Sequence, residues 1–417
     1  MKTKILLKGP LLTRSGYGEQ ARFAYRALAS RPDLFDIYIQ PLSWGSTSWL
    51  NEENEERATI DRIVEKTIGY VQEGGQIDAS FQCTIPNEWE PLAPINIGYT
   101  AGIETTKASH QWIQKGNTMH RIVVVSTHAK NVLESTVYQG NDEEGNPIEL
   151  RNLVPIDVVN YPIKDFGELE PLDIEFKDDF NFLVMAQAGP RKNLASTVKW
   201  FIEEFHDTEI GLVMKTNIAK NCLMDRERTL SFLKEAVEPF PDRKCHIYLL
   251  HGDMSDEEIH ALFKHPQINS LLTLSHGEGF GLPVFEATYT GIPVVAPGWS
   301  GQLDFLVDKT TGESHFYNVE YDLQPVPPEA VWEGVIVKES MWAYPREHSA
   351  KQQMRRCYHD FTCKKAPKNI EKTQAWTNHI IEEFAEKKRN GEMVAAVCEA
   401  LGIKPEGPPE TEFVEFE

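Results

Sequence analysis

Short apolar runs of strand length alternate with helix-period segments along most of this chain, and they do so in two separate series. The first opens with KILLKGPL (4–11). A helical stretch over 17–29 follows, with Ala21, Ala24, Tyr25 and Leu28 on one stripe. FDIYIQPL, a helix over 57–71, PINIGYTAG, RIVVVS, a helix with Ser126 as its N-cap, and VPIDVVNYPI complete the series. Residues 166–179, FGELEPLDIEFKDD, carry acid and proline without a period and read as a linker. The second series runs NFLVMAQ, LASTVKWFIEEF, IGLVMKT, RERTLSFLKEAVEPF, CHIYLLHG, SDEEIHALFKHP with Ser255 as cap, SLLTLS, VFEATYTG and IPVVAP. Repeated strand–helix units predict parallel sheets covered by helices on both faces. The expected class is therefore α/β, with two parallel-sheet domains facing a central cleft. The expected divisions are 1–165, the linker 166–179, 180–368, a C-terminal helix over 369–403, and an acidic tail over 404–417. Ligands of open parallel sheets lie beyond the carboxyl ends of the strands, so the cleft is the expected site.

The N-terminal MKTKILLKGPLL is basic and then apolar, as in a signal peptide. Lys8 interrupts the apolar run after Leu7 and no small-residue cleavage site follows, so it reads as a first strand. No apolar run is long enough to span a bilayer. Six cysteines without a framework suit free thiols in a reducing cytoplasm. A net charge of −21 argues against tight non-specific binding to phosphate backbones, with acid concentrated near residues 51 and 141 and in the tail.

Between SLLTLS and VFEATYT lies HGEGFGLP. Pro283 suits the first helical position and Gly291 the stop. The amides around Phe280, Gly281 and Leu282 then point out of a helix N-terminus, where an anion is favoured. Glu278 and Glu286 belong beside such an anion only if the ligand also carries hydroxyls, as a nucleotide sugar does. A structural turn with a dipole-facing glutamate uses the same residues. Arg191 and Lys192, at the end of NFLVMAQ and before a helix, suit neutralisation of a diphosphate leaving group, or a solvated helix start. Gly16, Tyr17 and Gly18 form a second glycine-rich turn, either an anion nest or a tight turn.

These motifs resemble the retaining GT-B glycosyltransferases of glycosyltransferase family four. The Glu-x7-Glu pair Glu278–Glu286, the flanking S-x-G-E-G-F-G-L-P, the G-I-P-V-V-A that follows and R-K-N at 191–193 carry the likeness. Looser matches are S-G-Y-G at 15–18, G-I-E-T-T with W-I-x-x-x-N at 102–117, V-V-S-T-H-A-K-N at 124–131, and Y-D-L-Q-P-V with W-A-Y-P at 321–345. The resemblance implies a metal-independent transferase without an obligatory cofactor, whose donor is a nucleoside diphosphate sugar, a UDP-sugar favoured. It implies that Arg191 and Lys192 hold the diphosphate and that Glu286 holds the ribose. Glu278 would contact the transferred sugar, the backbone of Phe280, Gly281 and Leu282 sugar and phosphate, and Gly16 to Gly18 would close from the other domain. Retention would follow from front-face attack, the departing phosphate helping to take the acceptor proton. Relatives carry a histidine near the sugar in the first domain. Here the region reads G-I-E-T-T-K-A-S-H, and Glu104 or His110 takes that place.

The acceptor is left open among glycan, small molecule and modified DNA, and so is the oligomeric state. A soluble acceptor is favoured, because the first helix offers only Arg22, Arg26 and Arg31 to a membrane. The segment S-G-Y-G-E-Q-A-R resembles virus-encoded members, so an enzyme glycosylating 5-hydroxymethylated pyrimidines in DNA is an alternative. Arg346, Lys351, Arg355, Arg356, Lys364, Lys365 and Lys368 would then line its channel. A binder of sugar nucleotides without transfer activity is the alternative of another class.

Overall fold

The computed structural model describes residues 2–45, 47–50, 54–141 and 145–404. The acid-rich tail from 405, and residues 51–53 and 142–144 of the two acidic stretches, lie outside the described residues. In the first half the elements are β1 (Thr3–Gly9), α1 (Gly16–Ala29), β2 (Phe35–Pro41), α2 (Glu55–Gln72), β3 (Ala79–Cys83), β4 (Ile95–Thr100), α3 (His110–Gly116), β5 (Arg121–Val124) and α4 (Thr127–Ser135). A hairpin of β6 (Val137–Asn141) and β7 (Pro147–Arg151) precedes β8 (Ile156–Val158). The N-terminal apolar run is thus a strand, with Ile5 and Leu7 fully buried.

The second half holds β9 (Asn181–Gln187), α5 (Leu194–Phe205), β10 (Gly211–Asn217), α6 (Leu223–Val237), β11 (His246–Leu250), α7 (Asp256–Phe263), β12 (Ile268–Leu272), α8 (Leu282–Thr290), β13 (Val294–Pro297), α9 (Leu303–Leu306) and β14 (Tyr317–Val319). An antiparallel pair, β15 (Tyr321–Pro325) and β16 (Met341–Pro345), leads into α10 (Glu347–Thr362), α11 (Ala366–Glu383) and α12 (Glu386–Leu401).

Both main sheets are six-stranded and parallel, ordered β2-β1-β3-β4-β5-β8 and β11-β10-β9-β12-β13-β14. The strand order reverses between β1 and β3 in one and between β9 and β12 in the other. Loops leaving adjacent strands at such a reversal diverge to opposite faces and open a crevice at the carboxyl ends. The turn after β9 carries Arg191 and Lys192, and the loop after β12 carries Glu278.

One apolar cluster runs through both halves, from Leu7 and Phe81 through Tyr161 and Phe280 to Phe285 and Val397. Tyr161 meets the Phe280 ring at 5.1 Å. The C-terminal segment is two helices rather than one continuous helix. Phe384 leaves helical geometry between α11 and α12, packs its ring 5.1 Å from Phe285 and accepts a hydrogen bond from the Ile163 amide at 2.9 Å. Burial of that ring outweighs one more helical turn. α12 then lies against α1 of the first half.

Candidate active site

The cation turn comes first. Pro190–Lys192 form one 3-10 turn and Asn193 takes the left-handed region at φ 52°, starting α5. Asn193 donates from Nδ2 to the Leu274 carbonyl at 3.3 Å, and the His276 amide donates to the Arg191 carbonyl at 2.8 Å. The turn is therefore sewn to the loop after β12. Lys192 Nζ donates to Glu278 Oε1 at 2.5 Å. Arg191 Nη1 lies 3.1 Å from Glu278 Oε2 and donates to the Gly277 carbonyl at 2.5 Å. Arg191 Nη2 stands 3.6 Å from Glu104 Oε1, across the seam between the halves.

Burial by itself would raise the Glu278 carboxyl; Lys192 and Arg191 overcome it and hold it at about 2. Burial lowers Lys192, against Glu278 and with Arg191, whereas Arg191 is raised by Glu278 and Glu104 in spite of its burial. Two cations thus share one buried carboxylate, and a second carboxylate comes from the opposite half.

The glycine loop divides its work. Gly281 sits at φ 92° as the N-cap of α8, a conformation that favours glycine. A Cβ on Gly279 would lie 1.9 Å from the Ala101 carbonyl oxygen, and one on Gly277 2.3 Å from that of Glu104. These two glycines let the 101–104 segment of the first half touch the loop, so chain–chain approach, rather than ligand approach, accounts for them. Pro283 occupies the second helical position rather than the first, since Leu282 follows the Gly281 cap and already belongs to the helix. The Phe280 ring is buried among Tyr161, Phe285 and Phe305, which leaves only its backbone for a ligand. The amides of Gly279, Phe280, Gly281 and Leu282 donate to no protein acceptor among the described residues. The Glu278 amide donates to Ser300 Oγ at 2.9 Å, and Ser300 itself is a non-glycine residue at φ 73°. Such strained positions persist where surroundings over-determine them.

Glu286, on the next turns of α8, has different neighbours. A narrow gap is lined by Glu286, Lys164, Asp256, His260 and Tyr289. Lys164 Nζ lies 3.0 Å from Glu19 and 2.7 Å from Asp256, so it is already held by one acid from each half. Burial pushes the Glu286 carboxyl up to about 8, with Asp256 and Glu19 adding and Lys164 opposing. The structure therefore groups Glu278 with Arg191 and Lys192, and Glu286 with Lys164.

In the first half, Ser15 caps α1 by accepting from the Gly18 amide at 2.9 Å. A Cβ on Gly18 would stand 2.1 Å from the Thr13 carbonyl oxygen, whereas one on Gly16 would meet nothing. Only Gly16 keeps open space. The Tyr17 hydroxyl shares a hydrogen bond with Thr100 Oγ1 at 2.8 Å and accepts one from the Gly102 amide at 3.3 Å, and its ring stacks on Trp44. Tyr17 thereby fixes the segment that abuts Gly277 and Gly279. Glu104 is the member of the open pair that reaches Arg191; His110 is exposed at the start of α3, beside Tyr138. Trp112 is a buried core residue.

Three residues escaped the sequence reading. Lys164 follows the last strand of its series with no motif around it. His128 packs edge-on against Trp299 at 5.0 Å, and its buried Nε2 has no protein partner. Burial lowers its pKa to about 4, against a backbone bond with Thr105 and the charge of Asp304. Asp304 Oδ2 crosses the seam to accept from the Thr127 amide and Asn160 Nδ2, both at 2.9 Å. The V-V-S-T-H-A-K-N motif contained His128; Lys164 and Asp304 carried no signal.

No protein-family model matches this chain, and no curated protein matches it. Solved structures do. A glycosyltransferase from Rickettsia africae ESF-5 is similar with a TM-score of 0.58 at 15% identity, over 96% of this chain and 99% of that one. Sucrose-phosphate synthase from Thermosynechococcus elongatus gives 0.59 at 11% identity, over 96% and 100%. The catalytic domain of starch synthase IV from Arabidopsis thaliana gives 0.56 at 10%, over 96% and 99%. At these identities the likeness establishes the fold. The chain has the GT-B fold, two Rossmann-like parallel-sheet halves matched over nearly their full length.

Proposed function

We propose that this chain is a glycosyltransferase that moves a sugar from a nucleoside diphosphate sugar, a UDP-sugar favoured, to an acceptor with retention of anomeric configuration and without a metal. The observation that carries this is the Arg191–Glu278–Lys192 cluster at the strand-order reversal of the second sheet, beside four undonated amides at the start of α8. Residues 180–368 form the donor side and 1–165 the acceptor side.

An incoming diphosphate replaces the Glu278 carboxylate on Arg191 and Lys192. It brings more charge than the group it displaces, and the α8 amides add donors that no protein group uses. Glu278, released from the cations, accepts from hydroxyls of the transferred sugar. Glu286 and Lys164 take the ribose. As the bond to the leaving diphosphate breaks, negative charge builds on phosphate oxygens already facing two cations, which is the largest catalytic contribution. The departing phosphate helps to take the acceptor proton on the same face. Glu104 reaches the site from the acceptor side and orients Arg191. Contact between 101–104 and the glycine loop keeps water from the donor.

A soluble acceptor is favoured over DNA. Arg346 is paired with Asp322 at 2.6 Å, Lys351 with Glu203 at 2.6 Å and Arg355 with Glu204 at 2.7 Å, so these cations are taken by the protein's own acids. Incubation with a panel of nucleotide sugars and acceptors, hydroxymethylated DNA included, followed by mass spectrometry, tests the proposal. Mass gain on one acceptor, persisting in EDTA, supports it. Donor binding without transfer to any acceptor would favour a non-catalytic sugar-nucleotide binder.

A further inference from the structure

Away from the seam, a cavity of ≈ 180 Å³ lies between the carboxyl end of α8, the starts of β13 and β14, and helices α10 and α11. It is slightly larger than the engineered cavity of about 150 Å³ that accepts one benzene ring. A single six-membered ring fits, and a nucleotide sugar does not.

Part of its wall is aromatic. His315 and Trp376 stack at 3.7 Å, their planes within 3° of parallel, with His379 on Trp376 at 4.8 Å, and Tyr317 and Phe361 also face the cavity, beside polar Ser314, Asn369 and Thr373. Most polar groups of these walls are used. Trp376 Nε1 donates to the Phe305 carbonyl at 3.1 Å, and the Tyr317 hydroxyl donates to Asp360 at 3.0 Å. His315 Nδ1 is buried and has no protein partner. Arg356 and Lys372 stand at the rim. Arg356 Nε is 3.7 Å from Asp360, and among the described residues its Nη atoms meet no acceptor. Lys372 Nζ is 2.7 Å from Glu313, which is not part of the lining. Asp360, the one carboxylate in the lining, is met by both Tyr317 and Arg356.

We propose that this cavity binds a phosphorylated single-ring metabolite, of the class of a sugar monophosphate, with its ring against the His315–Trp376 wall and its phosphoryl group between Arg356 and Lys372. A phosphate monoester carries about −1.5 to −2 charge near neutrality and three acceptor oxygens, enough to draw Lys372 from a single exposed carboxylate. The ring supplies an apolar face to the aromatics and hydroxyls to the polar lining at Ser314, Asn369 and Thr373. Thr377 Oγ1 donates to the Thr288 carbonyl at 2.9 Å, so an occupant braces the far end of α8, the helix whose near end carries the Glu278 loop. α8 has nine residues, about 13 Å of helix. The site is independent of the proposed transferase reading.

Calorimetric titration of the full chain with glucose 6-phosphate, glucose and inorganic phosphate tests this. Glucose 6-phosphate is expected to bind at least tenfold more tightly than either fragment. Arg356→Ala and Lys372→Ala should each weaken it tenfold or more, with thermal melts unchanged, while Lys192→Ala leaves the affinity intact. No binding at millimolar concentration overturns the proposal. So does equal affinity for a fragment, an affinity that Arg356→Ala and Lys372→Ala leave intact, or loss of binding in Lys192→Ala.

Discussion

Lys192 Nζ and Glu278 Oε1 lie 2.5 Å apart, and the other oxygen of the same carboxylate faces Arg191. One acid thus occupies both cations assigned to the leaving group, and a ligand anion must compete with it.

Glu278→Gln keeps the shape and removes the competing charge. Calorimetry with UDP should show binding retained or tightened, while the transfer rate falls about 10²-fold or more, the scale of losing one preorganised polar group. Transfer at the wild-type rate would remove Glu278 from the sugar site. The variant also loses an acid-sensitive contribution. The folded carboxyl is held at about 2. Its stabilisation is therefore full above the unfolded value of about 4.3 and fades as pH falls through that interval.

On the proposed donor site, Arg191→Ala combined with Lys192→Ala removes two charge-assisted contacts to the diphosphate. UDP affinity should drop at least 100-fold, in line with about 1.5–3 kcal/mol for each hydrogen bond to a charged group. Unchanged affinity would place the diphosphate elsewhere.

Glu286 predicts a pH slope of opposite sign. Its folded pKa, about 8, lies above the unfolded value, so the native state holds the extra proton in between. The Glu286 contribution to stability falls as pH rises through roughly 4.3 to 8, so the melting temperature of Glu286→Gln relative to the wild type should rise across that interval. Parallel melting profiles would show that Glu286 is ionised throughout.

Gly279→Ala forces a Cβ to 1.9 Å from the Ala101 carbonyl oxygen, a backbone atom that no side-chain rotation can move away. The variant should lose about 1–3 kcal/mol in denaturant unfolding and open the seam. Gly16→Ala meets nothing within contact range and sits at the start of α1, so its stability should match the wild type. Equal stability of the two variants would contradict the close approach.

Much of the sheet framework was legible because its strands are apolar runs separated by helix-period segments. β3 was not: ASFQC alternates polar residues, yet all five are buried. Ser80 and Asn96 share a hydrogen bond at 2.7 Å, Gln82 donates to Ser80 Oγ at 3.0 Å and to the Glu90 carbonyl and accepts from the Glu90 amide, so a central strand carries polar side chains satisfied by one another and by residues outside the strand. The break at Phe384 was equally hidden, since its cause is a ring, Phe285, from α8.

The two candidate constellations divide the same way. Local order along the chain determined that Arg191 and Lys192 follow one strand, that Glu278 follows another, and that a glycine N-cap starts α8, because turn chemistry and helix termini depend on neighbours a few residues apart. Tertiary structure alone decided that Glu104 rather than His110 meets Arg191, that Gly277 and Gly279 serve the seam, and that Glu286 shares its surroundings with Lys164, Glu19 and Asp256. Those pairings join residues from separate strands and both halves. Their energies depend on burial and distance, which exist only once the two sheets have docked.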